Sequence, residues 1–581
     1  MANNGRNYTK GGKKPRGRRG SSPRSKEVEV NVRDDQLNDA DLSSKSYKSG
    51  QNDPAWYANN AALLRDSSSF PYSLPIGTQI YNTGDIHSNG YTGGSDVINP
   101  TSLFQSVPGV MIMGYEMVIG GSDNSPTSPF NLASMKLFSD IRSKQSGRVN
   151  YDSPDLAMYI LAMDSAYSLY SELVRVYGLM RHYTILNRYT PATVVKQLGF
   201  DYDDLSRNLA QLRYVINSFA DKLGSMCVPA GLTFVTRHAW LNSNIFVDSG
   251  TMKAQMYMWA PDHYYSFSPK STEQAANSLV PTVAPHTHAY EGTEMSVVQI
   301  SNLCNRLIEQ IRGNQDFAIM SGDILKAYGP GNLFTIAPIA EDYTITPIFS
   351  QEILTQIENA RFVGRIPSGA LEIKQVTSES TITYSPYLVQ ELKWEFEEAE
   401  SIPNGFEIVT PHTEWNKVLL INMHTSEVLP ADTMVATRMT PWCSLTSSNA
   451  QKFIKVDVCG SEIPTSINLV ELLYEIGNFA TASNVKDSDK LYCTTSLSLG
   501  TTTQVDELAA GLLMLRRISA FDWHPIIDLF FFGNVFGTPS AYTYLGPVCD
   551  IDNYTLMGKS DLAPMHETAL LSEFTIPNVI G

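Results

Sequence analysis

The sequence predicts a mainly α-helical fold with a mixed α/β central module, and three observations carry that reading. Two long stretches before residue 250, Ser153–Tyr177 and Asp203–Leu223, hold apolar residues at helical spacing. Beyond Gly329 the chain turns to short, β-branched, proline-punctuated segments: FTIAPIAEDYTITPIF, ITYSPYL, KVLLINM and KFIKVDV. Helical spacing returns over Asn468–Asn478 and Asp506–Ser519. With 581 residues and 43% hydrophobic content, the chain can bury a large core and form two or more domains.

The folded body opens with NDPAWYANNAALLRDSSSFPYSLPIG at Asn52–Gly77. Asp53 before Pro54 starts a short helix there, with Trp56, Tyr57, Leu63 and Leu64 on its apolar face. Pro71 and Pro75 then force an extended path. A loop rich in Gly, Ser, Asn and Pro follows from Tyr81 to about Asn131, broken by the apolar run Val110–Met113. The clearest helix begins with Ser153 as N-cap, Pro154 as first residue and Asp155 in the first turn. Its apolar residues, from Leu156 through Tyr159, Ile160, Met163, Tyr167, Tyr170, Leu173, Val174 and Tyr177, cover most sides, so it is central. The Asp203–Leu223 helix has one stripe, Leu205, Leu209, Leu212, Ile216, Phe219 and Leu223. From Met226 to Phe267 the texture is strand-like. A third helix, about Glu294–Arg312, carries Val297, Ile300, Leu303, Leu307 and Ile311 on one side. Asp506–Glu507 at the start and Arg516–Arg517 near the end suit the dipole of the last helix.

Charge divides the chain. The whole carries 43 Lys plus Arg against 59 Asp plus Glu, yet residues 1–26 hold Arg6, Lys10, Lys13, Lys14, Arg16, Arg18, Arg19, Arg24 and Lys26 and no acid. The remaining 555 residues therefore have 34 cations against 59 anions, a net of −25. The first segment is otherwise Gly, Ser, Asn and Pro, too poor in apolar residues to offset the entropy of ordering, so it should stay unfolded until it meets a polyanion. Nine neutralised phosphates would give a log–log salt slope of up to roughly −8 on duplex. A nuclear-targeting or solubilising tail is the bland alternative. Charged residues are only 18% of the chain, which suits a body with much of its surface covered by other molecules.

Motifs for chemistry are sparse. Six cysteines without a CxxC pair argue against a zinc site or a disulfide framework, and no window reads as a signal peptide or a membrane span. The expectation is a soluble chain in a reducing compartment. His286 and His288 would face one side of a strand, with Glu291 and Glu294 as further ligands, but an ordinary loop pair is the better reading. Tyr202-Asp203-Asp204 matches the carboxylate pair of polymerase loops, yet it directly precedes the Leu205 helix, where Asp is an ordinary cap. Glu391, Glu395, Glu397, Glu398 and Glu400, around Trp394 and Phe396, read as a solvated or inter-subunit face. No GxSxG, P-loop, HExxH or GxGxxG occurs, so no catalytic, metal or cofactor residue is assigned.

Four features occurring together resemble the capsid proteins of picobirnaviruses: the basic arm, the Asn52–Gly77 segment, YDSPDLAMYILAMDSAYSLYSELVRVYG at Tyr151–Gly178, and FDWHP at Phe521–Pro525. The resemblance implies a largely helical subunit with a shell domain and a projecting domain. It also implies interwoven symmetric dimers that close into a small icosahedral shell around double-stranded RNA. On that plan residues 1–50 are the basic arm and linker, 51–250 and 466–581 the two helical parts of the shell domain, and 251–465 the projecting, mixed module. The implied partners are further copies of the chain, viral double-stranded RNA, a packaged viral polymerase and a host membrane as the particle enters the cell. The implied locations are the virion and, during assembly, the host-cell cytoplasm. Self-cleavage of an N-terminal peptide, also implied, would fall near Arg65 and Asp66. An RNA-coating nucleoprotein or a scaffolding protein without a closed shell is the alternative, and a hydrolase with a targeting tail stands third. The alternative fits less well, because a body of −25 repels RNA.

Overall fold

The computed structural model describes residues 60–574 except 71–78, 83–102, 182–189, 270–276, 389–417, 476–488, 500–514, 534–540 and several shorter stretches. The chain divides into two units, Met1–Leu74 and Pro75–Gly581. In the first, α1 (Ala61–Ser68) begins at Asn60, whose side-chain oxygen accepts from the N–H groups of Ala62 and Leu63 at 3.0 and 3.3 Å. The expected start at Asp53–Pro54 lies outside the described residues.

The second unit is built on α3. Its helices before residue 250 are α2 (Pro129–Ser143), α3 (Ser153–Arg181), α4 (Thr190–Gln197), α5 (Tyr202–Arg207), α6 (Leu209–Gly224) and α7 (Thr233–Ser243). Only Asp155, Met180 and Arg181 of the 29 residues of α3 escape burial, as an apolar girdle on every side requires. The expected Asp203–Leu223 helix is two helices. Asn208 breaks it by donating its side-chain amide to the backbone and carboxylate oxygens of Asp204 at 3.1 and 2.9 Å, a local competitor to helical pairing. The strand-like reading of Met226–Phe267 also needs correction, because α7 occupies its first half. Two polar residues, His238 and Asn242, share the buried face of α7 with Phe234, Val235 and Leu241 and mask its helical stripe.

The strands run β1 (Gln79–Asn82), β2 (Leu103–Ser106), β3 (Val110–Met117), β4 (Phe246–Val247), β5 (Met256–Pro261), β6 (His263–Ser268) and β7 (Ser278–Val283). After α8 (Pro285–Glu291), α9 (Val297–Arg312), α10 (Gln315–Tyr328) and α11 (Gln351–Asn359) come β8 (Ile373–Val376), β9 (Thr381–Thr383), β10 (Tyr387–Leu388) and β11 (Leu419–Met423). Then follow α12 (Pro430–Ala436), β12 (Trp442–Ser448), β13 (Gln451–Val458), β14 (Glu462–Glu471), β15 (Leu473–Glu475), β16 (Asp489–Cys493), β17 (Ser496–Leu499), β18 (Ile527–Gly533), β19 (Ala541–Val548) and β20 (Asn553–Met557). The C-terminal helix is α13 (Lys559–Glu573).

A five-stranded sheet in the order β16-β14-β3-β5-β4 lies at the centre. β3 is parallel to β5, with Met113 opposite Trp259, and antiparallel to β14, with Met113 opposite Ile467. All eight residues of β3 are buried, so a continuous apolar run replaces alternation. The sheet takes strands from residues 110–117, 246–261 and 462–493, so the fold is mixed α/β rather than mainly α. Where the helix expected at Asn468–Asn478 is described, β14 and β15 stand in its place, because pairing of β14 with β3 and of β15 with β2, and burial of β14 on both faces from Glu462 to Leu469, outweigh a short helical spacing. The Asp506–Ser519 helix lies mostly outside the described residues, and its end closes one turn from the Ser519 N–H to the Leu515 carbonyl at 2.9 Å. Phe334–Phe349 forms no strand. It runs beside α3 instead, where the Tyr170 and Tyr177 hydroxyls donate to the carbonyls of Ala337 and Glu341 at 2.5 and 2.9 Å.

Candidate functional site

The nine cations of the arm, and the acidic cluster Glu391–Glu400, lie outside the described residues. Arg65 and Asp66 are adjacent on α1, exposed, with Nε and Oδ1 3.7 Å apart. His286 and His288 do not form a pair, because α8 is a helix and sends side chains two apart to different sides. His286 is buried, its Nδ1 3.2 Å from Asp262 Oδ1 and its Nε2 3.0 Å from the Asn468 amide, while His288 Nδ1 meets Thr293 Oγ1 at 3.0 Å. Among the described residues no three His, Cys, Asp or Glu gather where a metal ion could sit. Asp201 caps α5 through the N–H groups of Asp203 and Asp204, both 3.0 Å away, and Asp204 Oδ2 accepts from the Val297 N–H of α9 at 2.8 Å. The YDD segment is thus a helix start that also holds a second helix. FDWHP is a turn tied to β5: the Trp523 N–H donates to the Tyr257 hydroxyl at 3.2 Å, and the Asp522 N–H to Gln255 Oε1 at 3.0 Å.

The chemistry-bearing residues that sequence reasoning missed form a buried ladder of ion pairs. Its signal was the presence of Asp164, Glu172 and Arg175 inside an otherwise apolar helix, where unpaired charge is not tolerated. Asp164 Oδ2 lies 2.8 Å from His238 Nδ1, and His238 Nε2 faces Glu462 Oε1 at 3.3 Å. The same carboxylate takes Arg237 Nε at 2.5 Å and Arg438 Nη2 at 3.7 Å. Arg438 then reaches Glu573 at the end of α13, 2.5 Å away. Arg438 fits because residue 460 is glycine: a Cβ there would sit 2.9 Å from its guanidinium nitrogens. Along α3, Glu172 accepts from the Tyr264 hydroxyl at 2.5 Å and faces Arg175 at 3.8 Å, and Arg175 donates to the Trp259 carbonyl at 2.8 Å. His263 meets Glu116 of β3 at 2.5 Å.

Electrostatics follow from this packing. Burial alone would push His238 down, but Asp164 and Glu462 more than reverse it and hold the ring protonated up to about 10. Burial would raise Glu462, yet Arg237, His238 and Arg438 keep it well below the usual carboxylate range. Burial dominates at Asp164 and Glu573, and both are raised. His263 is lifted to about 9 by Glu116 against its own burial, and Glu116 is pushed up to about 7 by burial. His566, buried near Arg438, falls to about 3 and stays neutral. In a nucleophilic triad a hydroxyl or thiol stands at the second ring nitrogen. Here Glu462 stands there, so the ladder is a strut between elements.

The β11–β20 ribbon differs. Leu419, Ile421 and Met557 face a small core with Trp442 and Leu562, while Tyr554 and Leu556 point outward, each 57% exposed. Among the described residues no helix is long and apolar enough to cross a membrane.

Comparison with known proteins is consistent along the chain. A family model described as "Picobirnavirus, Capsid protein" matches residues 56–534. The capsid protein precursor of Human picobirnavirus (strain Human/Thailand/Hy005102/-) is 28% identical over 559 residues, covering 93% of this chain and 94% of that protein. The X-ray crystallographic structure of the picobirnavirus capsid has the same fold, with a TM-score of 0.71 at 22% identity over 90% of this chain and 99% of that one.

Proposed function

Because this chain belongs to the picobirnavirus capsid protein family, a structural component of the virion, we propose that it pairs into symmetric dimers that close into an icosahedral shell around double-stranded RNA. The observation that carries the RNA part of this reading is the charge division. Nine cations and no acid in residues 1–26, set against a body of −25, place the only concentrated positive charge on the arm. Phosphate contact without sequence preference suits such a segment. Residues 51–250 and 466–581 are read as the shell and 251–465 as the projecting module, rooted in the central sheet through β5. Cleavage near Arg65 and Asp66, a packaged polymerase, a host-membrane encounter during cell invasion and assembly in the host cytoplasm belong to the same reading.

Electron microscopy of the expressed chain tests it. Uniform closed spheres are expected. Filaments would favour an RNA-coating nucleoprotein, and small discrete particles would oppose shell formation altogether.

A further inference from the structure

His238 sits where a neutral imidazole does not fit. Such a ring carries one N–H, and its other nitrogen presents a lone pair. Both nitrogens of His238 face carboxylates, Asp164 at 2.8 Å and Glu462 at 3.3 Å, and the side chain is fully buried. A lone pair held against an ionised carboxylate without water to screen it is repulsive, so with Asp164 and Glu462 both ionised the geometry calls for a proton on each nitrogen. We propose that His238 is a proton-loaded lock: doubly protonated at neutral pH, it holds α3 and β14 to α7, and it releases that hold when alkali removes one proton.

The surroundings bear on the direction of the effect. α3 supplies Asp164, β14 supplies Glu462, β3 supplies Tyr115, and α7 itself supplies Arg237. The turn after α12 brings Arg438, and α13 brings Glu573 and His566. β5, also packed on α7, offers only Tyr257 and Trp259. Three carboxylates thus face three cations while His238 is charged. Removing its proton leaves the carboxylates one in excess, in a site where Arg237 and Arg438 are already engaged. Since the ring's affinity for its proton is raised in the fold, to about 10, the stabilisation is complete below the ordinary histidine range and lost as pH rises through about 10. The subunit's core is therefore predicted to stay locked from mildly acid to neutral conditions and to loosen in alkali.

The test follows the thermal midpoint of the full chain from about pH 6 to about pH 10.5, for wild type and His238→Gln. The expected result is a wild-type midpoint that falls over the alkaline part of this range. The variant, whose amide cannot be charged, should start lower and lose most of that fall. A flat wild-type midpoint, or an equal alkaline fall in the variant, would overturn the proposal. Should the variant not fold, ¹⁵N-histidine NMR of the wild-type chain at about pH 8.5 decides. Because His263 is also raised, to about 9, the same spectrum is taken on His263→Gln: a doubly protonated, solvent-protected ring that survives there supports the lock, and neutral rings alone refute it.

Discussion

Two histidines, each set between two carboxylates, occupy opposite kinds of site. His238 is sealed between α3, α7 and β14. His424 follows β11, its Nε2 2.8 Å from Glu358 and its Nδ1 3.6 Å from Asp552, just before β20, and it is half-buried against the Trp523 ring. The motif is the same and the energetics are not. In the sealed site a lost partner leaves charge with no water to reach it, whereas at the ribbon solvent takes its place. The difference separates what holds the subunit together from what trims its edge.

The largest expected effect comes from breaking the sealed site. Glu462→Gln strips one charge from a carboxylate shared by Arg237, His238 and Arg438 and should cost about 3 to 5 kcal/mol in chemical denaturation. Next come Leu161→Ala and Leu173→Ala, both buried on α3, at about 2 to 5 kcal/mol each. The double substitution should abolish particles before it abolishes soluble expression, because closure repeats each defect in every copy. At the ribbon, His424→Ala should cost about 1 kcal/mol or less. Its pKa is raised, first by the hydrogen bond to Glu358, so that small contribution is full in mild acid and fades as pH rises through the shifted value. Smallest is Leu556→Ser on the outward face of β20, which should change folding stability by only a few tenths of a kcal/mol. A Leu556→Ser loss as large as that of Leu173→Ala would collapse the distinction between core and edge.

The helices with strong periodicity were legible. Ser153–Arg181 lies where its apolar spacing and cap put it, and Val297–Arg312 where its apolar spacing puts it, with a capping box of Ser296 and Gln299 that the structure adds. What escaped were elements defined by distant partners. The end of β14 from Asn468 reads as the start of a helix until β3 pairs with it, and α13 hides behind Pro564 in its interior. The ladder was half visible: three charges stood out within α3, but the groups that Asp164 joins, directly at His238 or onward through Glu462 and Arg438 to Glu573, lie 74 to 409 residues from it in the chain, beyond the reach of local pattern. The family resemblance depended on whole segments occurring together, and the two that are fully described, Tyr151–Gly178 and Phe521–Pro525, serve packing and pairing inside the subunit.

The proposed shell subunit would hold its RNA through the N-terminal arm. Nuclease-protected RNA per particle, compared between the full chain and one lacking residues 1–50, tests it most directly. The full chain is expected to protect RNA, and the truncated chain, still folded, to lose most of it. Particles of the truncated chain that protect as much RNA as the full chain would contradict it.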